Sequence, residues 1–313
     1  MEPNWEEFYA NQPKPSDLES SKKLLNDFVE RYSDGHTRIA LVTSGGTTVP
    51  LEHNTVRFVD NFSAGTRGSV STEYFLEHGY AVIFMYRIKS LEPFSRHFTG
   101  QKFLDMLDLT ERDGKPQLTV SETYSEDVAQ ALIKYKSALK QGKLFQLSFT
   151  TLSEYLWLLR AASQALAPLG KRVILYLAAA VSDFYVPSNE MSVHKIGSAV
   201  GAPKIALHLV PKILKPLVNL WVPKAFVISF KLETDENLLI SKARASLNTY
   251  NHKLVIANML QTRKQKVTMV DKDKDYVISL TNEQMNRGEE IEKYIIDDLV
   301  KRHEEFLSAK ETS

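Results

Sequence analysis

Apolar positions along the chain alternate between a helical repeat and short unbroken runs. Leu24, Leu25, Phe28, Val29 and Tyr32 recur at helical spacing, with Ser16 and Glu19 as a capping box ahead of them and Asp34-Gly35 closing the segment. Arg38 to Thr43 is then a short aliphatic run that stops at Ser44-Gly45-Gly46-Thr47, the pattern of a buried strand ending in a tight turn. Residues 64–78 return to the helical repeat and end at Gly79, and Tyr80 to Tyr86 reads as a second strand. Positions 38–86 therefore predict one βαβ unit with an unusually long connection at 44–63, the place where function is expected.

After Arg87 the pattern loosens through Pro93, Gly100 and Gly114. It resumes as a helix over Ser125 to Lys140, a strand over Leu144 to Phe149 and a helix capped by Thr151 with Glu154. We read 87–150 as an inserted lid or dimerisation portion within a single α/β domain spanning 1–313. Further extended segments are expected at Val173 to Ala180, Lys204 to Val210, Ala225 to Lys231 and Leu254 to Asn258. Between them lie helices at Pro211 to Leu220, with Pro at its first position, and at Asp235 to Tyr250. Val267 to Val270 and Tyr276 to Leu280 flank the charged run Asp271 to Asp275 as a hairpin, and Glu289 to Phe306 forms a closing amphipathic helix. Alternating strands and helices predict a Rossmann-like, doubly wound α/β fold, a mostly parallel sheet with helices on both faces.

Composition then narrows the partners. Lys+Arg 39 against Asp+Glu 38 gives a net charge of +1, which supplies no long-range field for nucleic acid or a membrane surface. A small-molecule partner held by a local site is expected. With Cys 0 there is no thiolate nucleophile, disulfide or Cys-ligated metal, so any thiol chemistry belongs to the substrate. Met1 to Pro15 is polar and acidic with no leader pattern, and Val173 to Val181 falls far short of the roughly 20 residues that span a bilayer, so a cytosolic protein is expected.

Four turns each follow a strand, at Ser44 to Thr47, Ala179 to Asp183, Phe230 to Thr234 and from Asn258 onward. In a doubly wound sheet such turns share one carboxyl edge and converge on one crevice. Asn61 to Gly68 places amide and hydroxyl groups at a helix N-terminus, where free N–H groups and the helix dipole favour an anion such as phosphate; Arg57 and Asn61 strengthen that reading. Asp183 follows the small residues Ala178-Ala179-Ala180, against which a planar ring can lie, and its carboxylate suits a ribose, a base or Mg²⁺ through water. Lys195 stands in a polar loop and suits charge neutralisation during phosphoryl or nucleotidyl transfer. The chain lacks G-x-x-x-x-G-K-[ST], G-x-G-x-x-G after its first strand, G-x-S-x-G and H-E-x-x-H, which weakens kinase, dehydrogenase and hydrolase readings.

Four blocks taken together, Val42 to Thr47, Val56 to Gly65, Ala178 to Phe184 and Phe230 to Thr234, resemble the phosphopantothenate–cysteine ligase family in its eukaryotic, stand-alone form. The resemblance implies activation of the 4′-phosphopantothenate carboxylate by ATP with Mg²⁺, release of pyrophosphate, and attack by the amine of cysteine on the acyl-nucleotide. It implies that Asn61 and Arg57 contact phosphopantothenate, that Lys195 and Asn61 are catalytic, and that Gly45, Ser63, Gly65 and Gly68 hold nucleotide phosphates. Ala179, Ala180, Asp183, Phe230 and Asn258 are implied to line the nucleotide. A homodimer is implied as well. Where bacterial members carry K-x-K-K this chain has Lys195-Ile196-Gly197-Ser198, a departure that favours ATP over CTP; metal ligands stay open between Asp183 and Glu233. A non-catalytic nucleotide-binding module and a dinucleotide-dependent oxidoreductase are the rival readings.

Overall fold

The computed structural model describes residues 4–33, 35–197 and 201–309, so Asp34 and Ser198 lie outside the described residues. The strands are β1 (Ile39–Ser44), β2 (Thr48–Pro50), β3 (Phe58–Asp60), β4 (Ala81–Arg87), β5 (Leu107–Arg112), β6 (Lys115–Val120), β7 (Leu144–Phe149), β8 (Val173–Leu177), β9 (Phe184–Tyr185), β10 (His208–Leu209), β11 (Phe226–Glu233), β12 (Leu254–Met259), β13 (Lys266–Val270) and β14 (Asp275–Ser279). The helices are α1 (Trp5–Asn11), α2 (Leu18–Glu30), α3 (Thr66–Glu77), α4 (Gln101–Asp105), α5 (Ser125–Lys140), α6 (Leu152–Leu166), α7 (Leu214–Pro216), α8 (Glu236–Tyr250), α9 (Asn282–Asn286) and α10 (Ile291–Ser308).

Eight strands form one sheet in the order β14-β13-β12-β11-β8-β1-β4-β7. All pairs from β12 to β7 are parallel, and β13 and β14 join antiparallel at one edge. The chain winds outward from β1 to β4 and β7, then returns to β8 on the other side of β1 and winds outward again. That reversal puts the topological switch between β1 and β8, where open α/β sheets bind ligands.

Each strand residue alternates between two apolar layers because side chains point to opposite faces with period two. Leu41, Ile83, Leu175 and Val227 meet α2 and α6 on one face. Val42, Phe84, Tyr176 and Ile228 meet α3 and α10 on the other. Every residue of β1 is buried, which is why the run reads as continuously apolar.

The strands expected at 38–43, 80–86, 144–149, 225–231, 254–258, 267–270 and 276–280, and α5, occur where the periodicity places them, and the Thr151–Glu154 capping box heads α6. Asp271 accepts from the N–H groups of Asp273 and Lys274 and pairs with Arg302 at 2.9 Å, so the charged run is a hairpin turn. Several expectations change. The Ser16–Glu19 box does not form, because α2 starts at Leu18 behind Asp17, whose φ/ψ of −97/9° does not present its side chain to the helix. β8 ends at Leu177, short of Ala180. Within Lys204 to Val210 only His208–Leu209 is a strand, and it pairs with β9 outside the main sheet. The Pro211 helix reduces to α7 followed by a π-turn over Leu217–Trp221, since Pro216 has no N–H to continue an α-helical ladder. The lid-like reading of 87–150 fails for its second half: α5 is a crossover helix and β7 an edge strand of the main sheet, leaving α4 and the β5–β6 hairpin as the part that stands apart. α1 was not expected; it is pinned by edge-to-face contacts of Trp5 with Trp221 at 5.6 Å and of Tyr9 with Trp157 at 4.9 Å.

Candidate active site

Past the ends of β1 and β8 the two chains stay paired. Ala180 N–H donates to the Gly45 carbonyl at 2.8 Å and Thr47 N–H to the Ala180 carbonyl at 3.0 Å. The hydroxyls of Thr43 and Thr47 accept from Ala179 N–H at 3.1 Å and Ser182 N–H at 3.0 Å. These bonds satisfy backbone groups that a strand end would otherwise leave open and hold the two turns rigid.

Asn61 reaches the same place on the β2–β3 hairpin. Its N–H donates to the Thr47 carbonyl at 3.1 Å, and an added Cβ on Gly46 would stand 1.6 Å from its carbonyl oxygen. Only glycine permits that approach. Arg87, at the end of β4, fixes the preceding residue through Asp60 at 2.6 Å. Asn61 and Asp183 consequently line one cavity of about 170 Å³, together with Val49, Val59, Ser182 and Leu207. Two residues expected to act together, 122 positions apart, are brought together by the switch point.

The helix N-terminus adjoins these turns. Gly65 is the N-cap of α3 with φ 80° and no side-chain cap, and the first intrahelical bond is Ser69 N–H to Gly65 O at 3.0 Å. The amides of Thr66, Arg67 and Gly68 thus have no acceptor among the described residues, and the positive end of the helix dipole lies with them. The glycines do more packing than expected: a Cβ on Gly68 would meet Ser44 Cβ at 2.4 Å, and one on Gly45 would meet Arg87 Cβ at 2.7 Å. Ser63 Oγ accepts from Gly65 N–H at 3.3 Å.

Phe230, partly buried, sits edge-on to Tyr176 with ring centres 4.9 Å apart. Asn258 is buried, and it lines a separate cavity of about 210 Å³ with Glu236, Thr262 and Lys266. The structure does not bring Asn258 into the cavity that holds Asp183.

Arg57 is only partly available: Nη1 donates to Glu52 Oε1 at 2.9 Å and to the Ile196 carbonyl at 3.1 Å. Lys195, one residue earlier, is exposed, and its ammonium has no partner among the described residues. Glu52 is the residue that sequence reasoning missed. It is fully buried, and the N–H of Arg57 above all, with those of Val56 and Ile196 and the Arg57 guanidinium, holds its carboxyl at about 2 against the cost of burial. A lone Glu between Leu51 and His53 carries no local signal, because its partners are backbone amides brought in from two loops.

Among the described residues there is no group of three or more His, Cys, Asp or Glu suited to a metal, and no helix long and apolar enough to cross a membrane. Glu233 is already paired with Lys242 at 2.8 Å, whereas the exposed Asp183 carboxylate has no partner among the described residues.

Residues 159–302 match the family model described as the DNA/pantothenate metabolism flavoprotein C-terminal domain. The chain is 45% identical over 303 residues to the phosphopantothenate–cysteine ligase of Mus musculus, covering 96% of this chain and 97% of that protein. It is 39% identical over 328 residues to phosphopantothenate–cysteine ligase CAB2 of Saccharomyces cerevisiae, covering 98% and 88%. A solved structure of a Cab2 mutant in complex with phosphopantothenate-cysteine superposes with a TM-score of 0.87 at 40% identity, covering 97% of this chain and 98% of that one. With the fold, the switch-point cavity and near-complete coverage in agreement, the chain belongs to the phosphopantothenate–cysteine ligase family.

Proposed function

We propose that the cavity between Asn61 and Asp183 receives 4′-phosphopantothenate and that ATP, entering as its Mg²⁺ complex, lies across the adjoining strand ends. The convergence of Asn61 and Asp183 on one cavity beside the open amides of α3 carries this reading. A carboxylate oxygen attacks the α-phosphorus of ATP, pyrophosphate leaves, and the acyl-adenylate forms. The cysteine amine then attacks the acyl carbon, loses a proton, and expels AMP, giving 4′-phosphopantothenoylcysteine for coenzyme A biosynthesis.

In this scheme the Asn61 amide donates to the acyl oxygen as negative charge develops on it. Gly45, Ser63, Gly65 and Gly68 hold phosphates through backbone amides and the Ser63 hydroxyl, Lys195 neutralises the charge transferred to the leaving group, and Arg57 meets phosphopantothenate with the nitrogens that Glu52 leaves open. Ala179 and Ala180 offer a flat surface to the nucleotide; Phe230 flanks its base and Asn258 closes the far side. Asp183 holds the ribose or a water of the Mg²⁺ shell, an arrangement in keeping with a cation that travels with phosphates and takes one or two carboxylates from the protein. We place the enzyme in the cytosol as a homodimer, on the family likeness.

Pyrophosphate release measured with Mg²⁺, 4′-phosphopantothenate and either ATP or CTP, with and without cysteine, tests this. Cysteine-stimulated release with ATP, lost in Asn61→Ala, is the expected result. Nucleotide binding without release from either triphosphate would refute catalysis and establish a binding module instead.

A further inference from the structure

Two loops meet beside the cavity. The 51–57 loop closes the β2–β3 hairpin that carries Asn61, and the 188–196 loop carries Lys195. Glu52 bridges to Ser192, and the N–H groups of His53 and Asn54 donate to the carbonyls of Ser192 and Val193 at 2.8 and 3.1 Å. Glu52 itself sits at the crossing. Oε2 accepts from Val56 N–H at 3.1 Å and Arg57 N–H at 2.9 Å, while Oε1 accepts from Arg57 Nη1 at 2.9 Å and Ile196 N–H at 3.3 Å. The Ile196 N–H belongs to the peptide that joins Lys195 to Ile196. Arg57 Nη1 donates to the carbonyl on the other side of Ile196 at 3.1 Å, so the ion pair grips this residue from both ends.

We propose that Glu52 is a positioning residue for the ligase reaction, locking the Lys195 loop onto the hairpin that presents Arg57 and Asn61. The proposal rests on the reading of Lys195 as catalytic. Glu52 acts through its neighbours: a carboxylate offers about four acceptor positions, and four donors from the protein fill them. Its burial makes the change costly, because a buried acceptor turned into a donor leaves N–H groups aimed at it without their acceptor. Glu52→Gln keeps the shape but turns an NH₂ group toward those donors.

Limited trypsin digestion reads the lock directly, since the bond cut after Lys195 is the one Glu52 holds. Cleavage there in Glu52→Gln is expected to be at least about tenfold faster than in the parent protein, with fragments identified by mass spectrometry. The same variant is expected to lose about 10- to 100-fold in kcat while its KM for ATP changes less than about threefold, and to add nothing to the loss in Lys195→Ala when the two are combined. Unchanged cleavage, unchanged kcat, or losses that multiply would each overturn the proposal. Full activity in Lys195→Ala alone would instead refute the catalytic reading on which it rests. Amide exchange in the parent protein needs no variant: the Ile196 N–H should exchange at least about tenfold more slowly than that of Gly197, and equal rates would refute the lock.

Discussion

At the scale of single residues, the site depends on close approach. Asn61 is set by its own backbone, with Gly46 beneath it and Thr47 O accepting its N–H, so its side chain needs no further partner to be aimed into the cavity. Removing that side chain should cost catalysis more than stability. Steady-state assay of Asn61→Ala is expected to show kcat reduced by about 100-fold or more with Tm within a few degrees of the parent, the range seen when one donor to a developing oxyanion is lost. Gly46→Ala should inactivate by another route, pushing Asn61 off its position by the clash at 1.6 Å, whereas Gly35→Ala meets only ordinary contacts from 3.8 Å and should be neutral. Activity retained in Gly46→Ala would show that Asn61 tolerates displacement.

At the scale of elements, the central strands β1, β4, β8 and β12 were legible because they are buried on both faces over most of their length and so read as unbroken apolar runs. α6 was legible because its capping box is local, and α5 because its apolar repeat is. What escaped was decided by partners far away in the chain. α1 is short, and only partners far along the chain, Trp157, Arg160 and Trp221, make sense of Trp5 and Tyr9. Asp183 was readable from strand-then-turn order and Asn61 from the helix N-terminus it precedes, but Glu52 was not, since its nearby donors Val56 and Arg57 follow no cap or turn motif and the Ile196 N–H comes from 144 residues away. The stretch after β4 is likewise held by non-local pairing. Arg96 bridges Glu73 of α3, at 2.7 Å, and Glu290 ahead of α10. Burial alone would raise the Glu73 carboxyl, but hydrogen bonds from His97 and Arg96 outweigh it and hold it at about 2. Arg96→Ala strands that carboxylate and should cost about 3 kcal/mol in urea unfolding, as expected when one partner of a buried pair is removed. A change below about 1 kcal/mol would place the pair with solvent-exposed bridges instead.

At the scale of the whole molecule, two buried histidines tie stability to pH. His303 accepts from Tyr80 OH at 2.8 Å and donates to the Lys171 carbonyl at 2.8 Å as the neutral ring, and His252 contacts Ser229 Oγ at 2.7 Å. Burial lowers both from 6.5 to about 4. The unfolded chain therefore takes up protons first. The histidine contribution to stability should be full above pH 6.5 and fall as pH drops from there toward about 4, by on the order of 3 kcal/mol per histidine, and the carboxyls of Glu52 and Glu73, held at about 2, carry the loss to lower pH. Unfolding midpoints that stay flat between pH 7 and 5 would contradict this.

In the proposed reaction the sheet brings a carboxylate substrate and a nucleotide to one edge at the β1–β8 switch, and the nucleotidyl group is transferred to the carboxylate. Turnover of 4′-phosphopantothenate labelled with ¹⁸O in its carboxylate, in the presence of ATP, Mg²⁺ and cysteine, tests that claim most directly. The account predicts one ¹⁸O in the phosphate of the AMP released. Label in inorganic phosphate, with ADP as the other product, would contradict it and assign the reaction to an acyl-phosphate instead.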